Sequence, residues 1–154
     1  MVAEYKKDKR LLERVARIYK WLDTQIRDNN ELAGRCNACG KCCVFNGSAS
    51  SDQEGFDHRL FLTPPELMYL TANLSPESIK TMQSNQCPYN IDGKCAIYDY
   101  RFAGCRIFCC NADTDFQSRL SESTLSKLKS LCTELQIPYR YHDLATALNN
   151  FVNA

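Results

Sequence analysis

The chain has 154 residues, enough for one domain with its own core, and its 19 Lys and Arg balance 18 Asp and Glu. No summed field therefore draws it to nucleic acid or to an anionic membrane, and no segment is apolar over the length that a membrane span or a signal-peptide core needs. A cytoplasmic protein with no nucleic-acid or membrane partner is expected, and its ten cysteines then point to metal or redox chemistry, because the cytosolic thiol pool keeps ordinary pairs reduced.

In chain order, Leu11, Val15, Ile18, Leu22 and Ile26 recur at helical spacing and predict one amphipathic helix over residues 4–28. Its apolar stripe closes over the core; pairing with a second copy of the chain, a homodimer through this helix, is the sharper use of it. The stretch RCNACGKCCVFNG follows at 35–47, with Cys36, Cys39 and Cys42 in a C-x2-C-x2-C run and Cys43 adjoining. Such tight spacing converges sulfurs on one point, which suits a metal, whereas a disulfide framework spreads its cysteines to staple distant loops. Asn37, Gly40 and Lys41 suit a loop whose N–H groups turn toward thiolate. Residues 46–55, NGSASSDQEG, read as a polar loop, and His58 beyond it is discounted as a ligand.

Thr63-Pro64-Pro65-Glu66 has the form of an N-cap, opening prolines and a capping-box acid, so a short helix through Leu67, Met68 and Leu70 should start there. Ser75-Pro76-Glu77 repeats the signal and predicts a second short helix to about residue 84. The second cysteine block, 87–110, carries Cys87, Cys95, Cys105, Cys109 and Cys110. Within it Asn90-Ile91-Asp92-Gly93 is a turn signal that could set Cys87 and Cys95 on two arms of a reversal, facing one metal. Tyr98, Tyr100, Phe102 and Phe108 suit core packing more than a shell of rings around a cluster. Leu125, Leu128, Leu131, Cys132 and Leu135 mark a helix over 121–136, ended by Pro138, with Cys132 facing the core. Asp143, beside His142, can cap a last helix over 143–152 through Leu144, Ala147, Leu148 and Phe151.

The cysteine segments resemble the CxxCxxCC cysteine-cluster family, described as zinc- or iron-chelating domains; flagellin lysine N-methylases carry a similar cluster. The likeness covers Cys36-Asn37-Ala38-Cys39-Gly40-Lys41-Cys42-Cys43, Cys87-Pro88, Cys95-Ala96-Ile97-Tyr98, Arg101 and Cys105-Arg106-Ile107-Phe108. Arg101-Phe102 departs from the family's usual Arg-Pro, and Cys109 with Cys110 extends the thiols beyond its pattern. The resemblance implies metal chelation and an iron–sulfur cluster, without implying that this chain methylates anything.

Setting Cys132 aside leaves nine thiols, one more than two four-cysteine sites require. The candidate ligands are Cys36, Cys39, Cys42, Cys43, Cys87, Cys95, Cys105 and Cys109, with Cys110 the first to assign to packing. Arg101 and Arg106 are candidates to offset the charge of an anionic cluster, Lys94 less so. Iron is preferred over zinc because of the C-x2-C-x2-C run and Cys87-Pro88, where structural zinc sites more usually show two separate knuckles. The expected fold is a mainly α, small single domain spanning 1–154, organised around a cysteine-ligated metal centre, with at most a short β-hairpin. Three functions follow from it: an iron–sulfur redox protein with a partner protein, a zinc-stabilised binding module or metal chaperone, and an iron–sulfur enzyme related to protein lysine methylation. No Gly-rich nucleotide loop or catalytic triad supports the last directly.

Overall fold

The computed structural model describes residues 8–28, 60–108 and 114–152. These residues are mainly helical. Helix α1 spans Lys9–Asp28, α2 Pro64–Asn73, α3 Ala103–Ile107, α4 Thr114–Glu134 and α5 Leu144–Val152. Four two-residue strands accompany them: β1 Phe61–Leu62, β2 Asn90–Ile91, β3 Lys94–Cys95 and β4 His142–Asp143. Short 3-10 turns lie at Pro76–Ser78 and Tyr98–Tyr100.

The first helix follows its sequence pattern, with Leu11, Val15, Ile18 and Leu22 buried and Ile26 packed at the margin. Its described start is Lys9, because the Asp8 carboxylate accepts the N–H groups of Arg10 at 2.9 Å and Leu11 at 3.4 Å. Of the expected 4–28 span, Asp8 caps the helix and residues 4–7 lie outside the described residues. Across the bundle, Arg14 forks onto both oxygens of Glu134 and ties α1 to the end of α4.

Helix α4 starts at Thr114, earlier than expected, and its buried stripe is Leu120, Thr124, Leu128, Leu131 and Cys132. Thr124 takes the core position assigned to Leu125. It can do so because its hydroxyl donates to Leu120 O at 2.7 Å, which satisfies that group inside the core. The helix stops before Pro138 acts: Gln136 adopts φ 56°, its N–H reaches Thr133 O at 3.3 Å, and Ile137 N–H reaches Cys132 O at 2.8 Å. That is a Schellman ending, sealed by Ile137 and Cys132 in the same core. A left-handed residue with a Cβ is strained there, so Gln136→Gly should raise the unfolding free energy by about 0.5–1 kcal/mol in urea titrations.

Two apolar clusters share α2 and α3. One gathers α1, α4, Met68, Ala103, Ile107 and Ile137. The other gathers Leu60, Leu62, Leu70, Ile79, Cys87, Tyr89, Ile97, Phe102, Leu144 and Leu148. Helix α5 begins at Leu144, next to Asp143 as expected, and Leu144 N–H donates to Leu60 O at 2.8 Å.

The turn signal at 90–93 yields a hairpin. Asp92 and Gly93 have φ of 53° and 79°, the two-residue reversal whose twist matches antiparallel strands, and the register pairs Asn90 with Cys95 and Ile91 with Lys94. A second antiparallel pair, Phe61 with Asp143 and Leu62 with His142, goes beyond the single expected hairpin. It joins segments distant in sequence and is backed by the Phe61–Tyr141 ring stack, centroids 5.1 Å apart.

The helix expected from Ser75 to about residue 84 is reduced to the 3-10 turn Pro76–Ser78. Side chains capture the backbone beyond it. Lys80 N–H donates to the Tyr89 hydroxyl at 2.9 Å, and Met82 N–H donates to Asn149 Oδ1 at 2.9 Å, so neither is available for a helical ladder. The expected helix at Thr63 is present, and α3 is an additional element inside the second cysteine block. Among the described residues no helix is long and apolar enough to cross a membrane.

Candidate metal centre

Of the eight candidate ligands, Cys36, Cys39, Cys42, Cys43 and Cys109 lie outside the described residues, as do Cys110 and His58. Cys87, Cys95 and Cys105 all join the cluster built on β1, Phe102 and α5. Cys87 is buried at the head of a turn in which its carbonyl accepts Asn90 N–H at 3.0 Å. Cys95 is half-buried on β3, opposite Asn90, so the hairpin does not oppose Cys87 and Cys95 across its arms; Cys87 precedes the first arm. Cys105 is half-buried in the middle of α3.

Among the described residues no three His, Cys, Asp or Glu side chains converge as a metal site would require. Cys87, Cys95 and Cys105 share one apolar cluster, and thiolate as a ligand type suits thiophilic ions rather than the hard cations that select oxygen.

The segment around Cys105 is held from several sides. Arg106, with a side chain 6% exposed, donates from Nε to Arg101 O at 2.8 Å, from Nη2 to Asp99 O at 3.0 Å and from Nη1 to Asp23 of α1 at 2.8 Å. Its guanidinium also lies 4.2 Å from the Tyr19 ring centroid. Arg101 is less committed: Nε donates to Tyr98 O at 2.9 Å and the guanidinium stacks on Tyr98 at 3.8 Å. Lys94 is exposed. Gly104 sits so close to β1 that a Cβ there would come within 2.5 Å of Leu60 Cδ1.

The aromatic run divides by environment. Phe102 is buried, Tyr100 and Phe108 are half-buried, and Tyr98 is 57% exposed. Tyr100 packs edge-on to Tyr69, with centroids 6.4 Å apart. Phe102, at the N-cap of α3, has a φ of −66° and adds a buried ring to the core.

One group with a role beyond its motif is Glu66, 1% exposed. Its Oε2 accepts the Thr63 N–H at 2.8 Å and hydroxyl at 3.0 Å, completing the expected capping box. Its Oε1 reaches across the fold to accept the N–H of Ala103 at 2.7 Å. Burial pushes the Glu66 carboxyl up from the ordinary range, while hydrogen bonds from Ala103 and Thr63 pull it back. Tyr19, buried beside it, is pushed well up by desolvation and then by the charge of Glu66. The Tyr19 hydroxyl lies close enough to bias Glu66, yet makes no hydrogen bond of good geometry among the described residues. The capping box was legible in Thr63 and Glu66; the reach to Ala103 had no local signal, since the two residues lie 37 apart in the chain.

Cys132 is buried in the α1–α4 cluster, as expected. Desolvation, then the charge of Glu66, pushes its thiol up to about 11, which leaves it protonated and inert near neutral pH. A shallow groove of about 310 Å³, lined by Tyr19, Lys20, Asp23, Arg27, Asp99 and Arg106 among others, opens between α1 and the Tyr98–Tyr100 turn. Three cations, Lys20, Arg27 and Arg106, and two carboxylates, Asp23 and Asp99, line it. No family model, curated protein or solved structure matches the chain, and the likeness to the CxxCxxCC family rests on its motif residues.

Proposed function

We propose that this is a cysteine-ligated metal-binding protein that holds an iron–sulfur cluster and serves a redox or electron-transfer role with a partner protein, in a reducing compartment such as the cytoplasm. One observation carries the reading: Cys36, Cys39, Cys42 and Cys43 stand in a C-x2-C-x2-C-C run, and three later candidate ligands, Cys87, Cys95 and Cys105, share one apolar cluster. Those seven and Cys109 are the proposed ligands. An iron–sulfur cluster would supply one-electron chemistry at a potential set by charge, hydrogen bonding and burial. Apolar packing around Cys87 would limit water, and Arg101 and Arg106 would offset negative charge near Cys105.

A zinc-organised binding module or metal chaperone is the second reading, and one observation favours it. Between residues 74 and 108 regular structure amounts to two-residue strands, 3-10 turns and the five-residue α3, a scaffold of the kind that structural metals organise.

The deciding experiment measures iron, zinc and acid-labile sulfide per chain on protein purified without oxygen, with visible spectra before and after reduction. Iron with matching sulfide and a reversible bleach supports the first reading; zinc without sulfide retires the redox role in favour of the second; protein without either metal sinks both. Cys39→Ser should lose the metal, while Cys132→Ser should keep it, because that thiol belongs to the other core. Metal loss in Cys132→Ser would overturn the ligand assignment.

A further inference from the structure

The turn that carries Cys105 is fixed on both sides. The N–H of Ala103 is held by Glu66, and Arg106 is pinned to Asp23 and to the carbonyls of Asp99 and Arg101. Cys105 is the residue these anchors place. The anchor at Glu66 is the unusual one. A capping-box glutamate needs only one oxygen for its helix and serves that end from the surface. Here the whole carboxyl is buried, a costly arrangement, and the second oxygen extends to the first residue of α3. Because the capping box locks the near end on α2, the far oxygen is a fixed reference against which α3 is set.

We propose that Glu66 is the positioning residue of the cysteine site, holding the Ala103 N–H so that Cys105 is presented in one orientation to its metal. The inference rests on Cys105 being a ligand, as proposed above, but the hold on Cys105 itself can be read without metal. Two substitutions release it by different routes. Glu66→Ala removes both oxygens. Ala103→Pro deletes the donor and sets a ring carbon against the far oxygen, so α3 must move off Glu66; the position is the first of the helix, which accepts proline, after a residue whose ψ of 160° suits the approach to proline. Glu66→Gln keeps a carbonyl oxygen for Ala103 but turns an NH2 toward the Thr63 N–H, so it retains the Ala103 bond while weakening the cap.

The test measures alkylation of Cys105 and Cys132 by iodoacetamide in chelator-treated protein, resolved by peptide mass spectrometry, together with metal per chain in untreated protein. In Glu66→Ala and Ala103→Pro the Cys105 rate should rise about tenfold, the scale of one lost buried hydrogen bond, with metal content reduced. Cys132 should be unchanged in Ala103→Pro, which keeps the Glu66 charge that raises that thiol. Glu66→Gln should lie between the parent and Glu66→Ala. Equal acceleration of both cysteines in Ala103→Pro would mean general loosening and would overturn the positioning role, as would unchanged Cys105 labelling in that variant. A parent chain that holds no metal sinks the metal reading alone, since the labelling ratio still reports whether Glu66 sets Cys105.

Discussion

Replacing Glu66 by alanine should lower the unfolding free energy by about 3–5 kcal/mol, the range for stripping the partner from buried donors. Three donors lose their acceptor: the Thr63 N–H and hydroxyl, and the Ala103 N–H. Urea unfolding followed by circular dichroism measures it, and a loss below about 1 kcal/mol would show that water reaches these groups. A pH signature accompanies the effect. The folded carboxyl titrates above its unfolded value of roughly 4.3, so the folded chain binds the proton more tightly. The Glu66 contribution is therefore full below that pH and is lost as pH rises through the folded value. Relative to Glu66→Gln, which cannot titrate, the parent should lose stability as pH is raised from about 4 toward neutrality. A difference independent of pH would refute the shift.

Phe102→Ala should cost a similar amount, about 3–5 kcal/mol, by a different route. The ring is 1% exposed in the cluster that also holds Cys87, and its removal leaves a cavity there. Tyr98→Ala, four residues earlier and largely exposed, should change stability by less than about 0.5 kcal/mol. Comparable losses at the two positions would mean that the aromatic run acts as a unit, contrary to the division between buried Phe102 and exposed Tyr98.

The readable parts of the fold have short-range causes. The stripe from Leu11 to Leu22 buries one face because side chains three and four residues apart share it, and Thr63 with Glu66 cap a helix because their groups meet within one turn. Asp92-Gly93 reverses the chain because both residues tolerate positive φ. The helix expected after Ser75 fails for the opposite reason: Tyr89 and Asn149 take the N–H groups it needed, and Asn149 comes from a helix 67 residues away.

The same division runs through the candidate site. Composition and spacing nominate the thiols, since crowded cysteines without a disulfide pattern are a chemical statement in themselves. They also separate Cys132, whose helical periodicity places it in an apolar stripe and whose thiol burial keeps protonated. That Cys87, Cys95 and Cys105 share one core, that Arg106 clamps α3 to α1, and that a capping glutamate reaches Ala103 depends on how α1, α2 and α3 dock. Local pattern settles which face a residue occupies because backbone geometry repeats over a few residues. Which faces then meet is decided by packing the whole chain, where burying apolar surface and satisfying every buried donor must succeed together.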